Sequence, residues 1–245
     1  MKNIRKLFQL SLVSIILVFI QIPIAIARGG GGGHTLGGLL AFTSPNQSDI
    51  NNLISAANTR EGGISTKELG SGYELTGTYQ YRFSGTMFAI MVRPSYFMQS
   101  QKGKGTSGGF DYVLSGWTLF PMFKMIPLEN SFIKFFMQTG VGYGSMSGMI
   151  SEAGSMVTFK TGSFGGVLGL GAEFCFTDEH CMSLEGNMRY LPFERNIATD
   201  VVTGNGFAAG SLTNAVKGQE VELNNRDLGT TMSGMLATIG YVYNF

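Results

Sequence analysis

The sequence predicts an all-β chain that crosses a membrane as an eight-stranded antiparallel transmembrane up-and-down β-barrel. Three observations predict it. Hydrophobicity alternates with period two over runs long enough to span a bilayer. The connections between these runs alternate between short and long. An apolar N-terminal segment marks the chain for export.

Composition fits a barrel better than a helical membrane protein. Charged residues make up 13% of the 245 residues, while hydrophobic residues are an ordinary 44%. Soluble domains carry about 25% charge. A barrel places its apolar residues on alternate positions and so looks average in bulk, whereas a helical bundle would be greasier. The formal net charge of +1 gives no global drive toward nucleic acid.

Lys2, Arg5 and Lys6 precede an apolar stretch from Leu7 to Ile22, and Ala25-Ile26-Ala27 supplies a small-x-small cleavage site. The segment reads as a signal peptide cleaved after Ala27, with an uncleaved anchor as the alternative. Residues 28–33 form a Gly-rich linker, and residues 34–245 form the barrel. Nothing after the leader is long and apolar enough to be a spanning helix, so any span in the mature chain must be β.

The clearest strand is Tyr73 to Phe83. Tyr73, Leu75, Gly77, Tyr79, Tyr81 and Phe83 take one face; Glu74, Thr76, Thr78, Gln80 and Arg82 take the other. A tilted membrane strand needs about 9–11 residues, against about 5–6 for a soluble one. The same alternation recurs in Met87 to Met98, Ile133 to Tyr143, Phe164 to Phe176, Met182 to Pro192 and Met235 to Phe245. Two weaker segments, Gly-rich Thr35 to Phe42 and mixed Phe110 to Phe123, complete the set. Ser84-Gly85, Pro127 to Asn130 and Thr177 to His180 read as tight turns. Residues 44–72, 99–109, 145–162 and 196–229 read as long polar loops. Barrels of outer membranes pair short periplasmic turns with long outside loops, so both termini are expected in the periplasm and the long loops outside the cell.

The chain ends Tyr241-Val242-Tyr243-Asn244-Phe245. With the leader and the hairpin layout, this ending resembles the small eight-stranded outer-membrane barrels of the OmpA and OmpX type of Gram-negative bacteria. The resemblance spans about residues 34–245. It implies that Tyr241, Tyr243 and Phe245 form the signal read by the barrel assembly machinery, and that the surroundings are outer-membrane lipid and lipopolysaccharide. It implies no particular activity.

Charged strand residues concentrate on the inward parity: Glu74, Glu173 and Glu185 against Arg82, Arg93, Lys134 and Arg189, with Asp111 as a further member. Such groups must pair in a narrow lumen, because an unpaired buried charge is very costly. Glu74, Glu173 and Glu185 are expected to take their partners from those four cations. A packed polar plug is one reading and a porin-like selective pore the other; eight strands leave an interior just wide enough for side chains. Cys175 and Cys181 share the inward parity around one turn, and in an oxidising compartment they are expected to form a disulfide. The two histidines, His34 and His180, lie at the termini's end, away from the outer rim, which argues against a hydrolase or acyltransferase. No metal site or cofactor is expected.

In the first loop, Ile50, Leu53, Ile54 and Ala57 recur at helical spacing behind Ser48 as N-cap. This reads as a short helix on the barrel rim or the membrane surface, or else as an unstructured loop. Lys102 and Lys104 sit in the second loop, where contact with lipopolysaccharide phosphates is one reading and plain solvation the other. The sequence thus points to a non-enzymatic outer-membrane barrel with a structural or surface-interaction role carried by its loops. A narrow channel for small solutes or small hydrophobic molecules is the alternative.

Overall fold

The computed structural model describes residues 33–61, 66–105, 108–202 and 215–245. Residues 1–32, where the leader and most of the linker are expected, lie outside them. The chain order is β1 (His34–Pro45), α1 (Ser48–Glu61), β2 (Gly72–Arg82), β3 (Phe88–Gly105), β4 (Gly108–Glu129), β5 (Ile133–Glu152), β6 (Ser155–Cys175) and β7 (His180–Tyr190). Five short pieces follow: β8 (Pro192–Phe193), β9 (Ile197–Val202), β10 (Glu222–Leu223), β11 (Arg226–Asp227) and β12 (Thr230–Thr231). β13 (Gly234–Asn244) ends the series.

Eight strands close a ring in the order β5-β4-β3-β2-β1-β13-β7-β6, and β6 pairs back to β5; β9 is added on β6. Every neighbour is antiparallel. The seam joins the first strand to the last, from Thr35↔Asn244 to Pro45↔Gly234. Closure leaves no edge, which is what a sheet in hydrocarbon requires. Two prolines interrupt the ladders. β2 and β3 pair at Thr76↔Ser95 and again at Tyr79↔Val92, skipping Pro94, which has no N–H to give. β4 and β5 skip Pro121 in the same way.

The wall is uneven. β1, β2, β7 and β13 are 11 or 12 residues long, but β4, β5 and β6 have 22, 20 and 21. At about 3.3 Å per residue and a tilt near 40°, a 22-residue strand rises about 55 Å, nearly twice the ~30 Å bilayer core. The described residues of segment 99–109, and segment 145–162, are therefore largely strand, not the long loops their polar sequence suggests. The β5–β6 hairpin turns on Ala153 and Gly154, both at positive φ (49° and 91°), as a type I′ turn requires.

Their sequence misleads because the hydrophobic phase inverts along the strand. On β4, Trp117, Leu119 and Phe123 face outward, whereas Phe110, Tyr112 and Leu114 are buried inside. On β5, outward Phe135, Met137, Val141 and Tyr143 give way to inward Met146 and Ile150. The change falls beside a cluster of outward aromatics, Trp117–Tyr143–Phe164, with ring centroids 5.8 and 5.1 Å apart. A second aromatic band near the termini includes Phe88–Phe123 and Phe132–Phe174. Phe164 and Phe174 are ten residues apart on β6. That is about 25 Å along the axis, the height of the apolar belt of an outer-membrane barrel. Above the upper band the sheet stands in water, and its apolar side turns in.

α1 and residues 191–202 and 215–232 fold over the low side of the wall and lean on the tall side. Ile50, Leu53, Ile54 and Ala57 are buried in one core with Phe97, Tyr112, Met146, Phe159, Phe193 and Met232. So the helix exists, but its apolar stripe enters the barrel mouth instead of lying on the rim or the membrane. Its first hydrogen bond runs from Asn51 N to the Gln47 carbonyl, which makes Gln47, not Ser48, the N-cap residue. The Gln47 side chain bonds Gln99 Oε1 (3.2 Å) and the backbone of Thr231 (2.6 and 3.2 Å). Asn51 and Asn58 each make two hydrogen bonds with the backbone of the returning segment, at Leu69 and Thr66.

Inward glycines admit large neighbours. A Cβ on Gly148 would lie 2.0 Å from the Phe159 ring, and one on Gly171 would lie 2.5 Å from Phe136. Gly186, on the outer face, has nothing within 4 Å. We expect Gly148→Ala to lower stability by about 1–3 kcal/mol through overpacking. Gly186→Ala should change it by no more than about 0.5 kcal/mol. Urea unfolding in detergent micelles, followed by Trp117 fluorescence, measures both.

Candidate functional site

The barrel interior holds its chemistry in tiers. At the rim near the termini, Arg82 pairs with Glu129 at 2.7 Å, and Lys134 reaches the same carboxylate at 3.8 Å; all three are partly exposed. One level up, Lys124 Nζ lies 2.5 Å from Glu173 Oε1 with both side chains 4% exposed. The ammonium also stands 3.8 Å from the centroid of the Phe136 ring, a cation–π contact in the space that Gly171 leaves.

Above it, Arg93 meets Glu185 at 2.5 Å. β3 and β7 are four places apart in a ring of eight, so this pair crosses the full lumen. Gln138 and Asn187 also donate to Glu185 Oε2, each at 3.1 Å. In the top tier Arg189 Nη1 contacts Glu74 at 2.8 Å, and Ser95 Oγ donates to Glu74 Oε1 at 2.5 Å while lying 2.7 Å from Thr118 Oγ1. Arg189 Nε donates to the Met232 carbonyl at 2.8 Å, which ties the polar column to the apolar core over it.

Three buried acids thus face three buried bases, and the column is formally neutral. A space of about 10 Å³ remains among Glu74, Arg93, Ser95, Thr118, Asn187 and Arg189. That is room for roughly one water molecule. Above this level the lumen is occupied by the apolar core and α1.

The structure brings Glu74, Arg93, Glu173, Glu185 and Arg189 into this column but corrects several expected partners. Arg82 and Lys134 belong to the rim with Glu129, because their positions lie at the end of the barrel, where a partly exposed carboxylate is in reach. Lys134 is the register neighbour of Glu173, yet Glu173 turns inward to Lys124. Asp111 is not in the lumen: it lies on the outer side of β4 above the aromatic band and pairs with Lys102 at 3.1 Å. Lys124 escapes the sequence reading, although it holds an inward position between outward Phe123 and Met125. The mixed pattern of β4 hides its parity.

Cys175 and Cys181 are register partners and are joined by a disulfide, packed with Val242. Tyr241 and Tyr243 stand on the outer face of β13 with their rings 5.9 and 5.3 Å from that of His180, and Phe245 follows the strand. His180 Nδ1 hydrogen-bonds the Tyr241 hydroxyl, and His34 Nδ1 lies 2.8 Å from the Tyr79 hydroxyl. Among the described residues no group of three His, Cys, Asp or Glu is arranged to hold a metal ion.

Comparison with known proteins identifies the fold. No protein-family model matches the chain, and no curated protein matches it in sequence. Among solved structures, the outer membrane protein OprG of Pseudomonas aeruginosa superposes with a TM-score of 0.53 at 14% identity, over 88% of this chain and 97% of its own. A major outer membrane protein of Thermus thermophilus superposes with a TM-score of 0.50, also at 14% identity, over 87% of this chain and 99% of its own. At that identity the likeness is one of fold, and the fold is that of the small eight-stranded outer-membrane β-barrels.

Each ion pair should behave as a unit. Glu74→Gln or Arg189→Leu alone leaves a buried charge unmatched, at a cost of about 3–5 kcal/mol. The double variant should cost clearly less than the sum. Lys124→Met with Glu173→Gln should show the same coupling, whereas Lys134→Met with Glu173→Gln should be additive. Unfolding midpoints of the single and double variants decide this.

Proposed function

We propose that the protein is a non-conducting outer-membrane barrel that displays a rigid, folded platform beyond the bilayer, and that its role is structural or one of surface interaction. The observation that carries this reading is the filled interior. Three buried ion pairs fill the lumen, one of them between opposite strands, and the apolar core with α1 closes it above. A pore for solutes needs an open path, and the cavity between the two upper pairs is about 10 Å³.

The platform is built from the upper parts of β3–β6 and β9, roofed by α1 and residues 191–202 and 215–232. It has its own apolar core, so it holds its shape as a soluble domain does, unlike a free loop. Its outward face carries Ser115, Ser145, Ser147, Ser151 and Thr158, with Lys102, Lys104 and Lys160 as cations. Such a surface suits contact with lipopolysaccharide or with another cell surface. An enzymatic role lacks support: His34 and His180 stand in the aromatic belt near the termini, in contact with tyrosines.

In this reading the leader is removed after Ala27, residues 28–33 are a linker, and both termini lie in the periplasm. Tyr241, Tyr243 and Phe245 serve the assembly machinery.

Two measurements test the proposal. Purified protein in a planar bilayer should give no conductance steps, whereas Arg93→Ala with Glu185→Ala, which empties the middle tier, should raise leak. Steps in the unaltered protein would install the channel reading. Single cysteines at Lys104 or Lys217 should react with an impermeant maleimide on intact cells. Cysteines at Glu129 or Glu179 should react only after permeabilisation, and the opposite result would invert the topology.

A further inference from the structure

Beyond the closed-barrel reading, the terminus end of the seam carries a device of its own. Asn244, the last residue of β13, sits where three parts of the chain meet. Its backbone N–H donates to the Glu179 carbonyl at 2.8 Å. Its side-chain Nδ2 donates to the Asp178 carbonyl and to Cys181 Sγ, both at 3.3 Å. Its Oδ1 accepts from Thr35 Oγ1 of β1 at 2.9 Å. Asp178, Glu179 and Cys181 all belong to the ring closed by the Cys175–Cys181 bond, and Thr35 is the register partner of Asn244 across the seam.

We propose that the disulfide acts as a redox-controlled lock on the β1–β13 seam, with Asn244 as the positioning residue that transmits its state. The ring spans a sequence separation of 6. Such a tight loop has its carbonyl directions restricted by the cross-link. With the bond intact, the Asp178 and Glu179 oxygens are held where Asn244 can reach both, and the side chain of Asn244 is then fixed to present Oδ1 to Thr35. When a dithiol reductant converts the bond to two thiols and is itself oxidised to a disulfide, the turn regains conformational freedom, Asn244 loses its fixed acceptors, and the end of the seam frays. The remainder of the seam, up to Pro45↔Gly234, rests on its own ladder. The lock therefore acts locally, on the strand end that closes the ring.

The test measures backbone hydrogen exchange in the folded, detergent-solubilised protein, before and after dithiothreitol. The dithiol closes to its own cyclic disulfide as Cys175 and Cys181 become two thiols, and alkylation mass confirms the conversion. Reduction should speed exchange at the terminus ends of β1 and β13, around Thr35 and Val242 to Asn244. The expected factor is about ten, the size expected for the net loss of one or two hydrogen bonds. Exchange near Thr43 and Leu236 should not change. Asn244→Ala in the oxidised protein should reproduce the effect, and in the reduced protein it should add little. Cys175→Ser with Cys181→Ser should match the reduced state; if that variant does not insert, the reduced folded protein supplies the same comparison. Exchange at the seam unchanged by reduction would overturn the proposal. So would an Asn244→Ala effect that is as large in the reduced protein as in the oxidised one.

Discussion

A sheet surrounded by hydrocarbon must satisfy its backbone polar groups within itself, and the pairing of β1 with β13 is what meets that demand here. The other features follow from it. Eight strands closed into a ring enclose a space of side-chain width, so the interior must be filled, and whatever fills it must be electrically balanced. The lower half is filled by ion pairs between strands that are not neighbours, one of them reaching across the full ring. The upper half is filled by apolar side chains, some from the tall wall and some from α1 and the chain that returns over the mouth.

The two fillings answer to two environments. Within the membrane the outer face takes the apolar residues, and the inner face is left to groups that can pair with one another. Above it the outer face meets water and the ordinary logic of a soluble sheet returns, with Phe110, Tyr112 and Leu114 turned inward. The same strand obeys both rules in succession, and the aromatic cluster of Trp117, Tyr143 and Phe164 marks the border. Arg189 joins the two regimes, with its guanidinium on Glu74 below and on the Met232 carbonyl above.

That inversion also explains what is legible in the sequence and what is not. Strands whose whole length lies in the membrane, such as β2 and β7, show one unbroken alternation, and their inward residues can be read one by one. β4 changes phase midway, so its sequence looks mixed, its upper end reads as loop, and the inward parity of Lys124 is lost. The stripe of α1 is legible from Ile50, Leu53, Ile54 and Ala57, but a stripe does not name the surface it covers. Pairing across the lumen is less legible still. Parity places Glu173 beside Lys134, yet which cation it meets depends on depth along the tilted axis, and a sequence carries no direct record of depth.

The border between the two phases makes the molecule its own depth gauge. A downward shift by one pair of residues would carry Ser115 and Ser145 into hydrocarbon, and an upward shift would lift Leu119 and Val141 into water. Both cost free energy, so the barrel cannot bob to suit a thicker or thinner bilayer; the lipid must adjust around it. The roofed platform is therefore held at constant height over the membrane surface. A partner of fixed reach, anchored in the same leaflet, would find it at the same level wherever the protein is inserted.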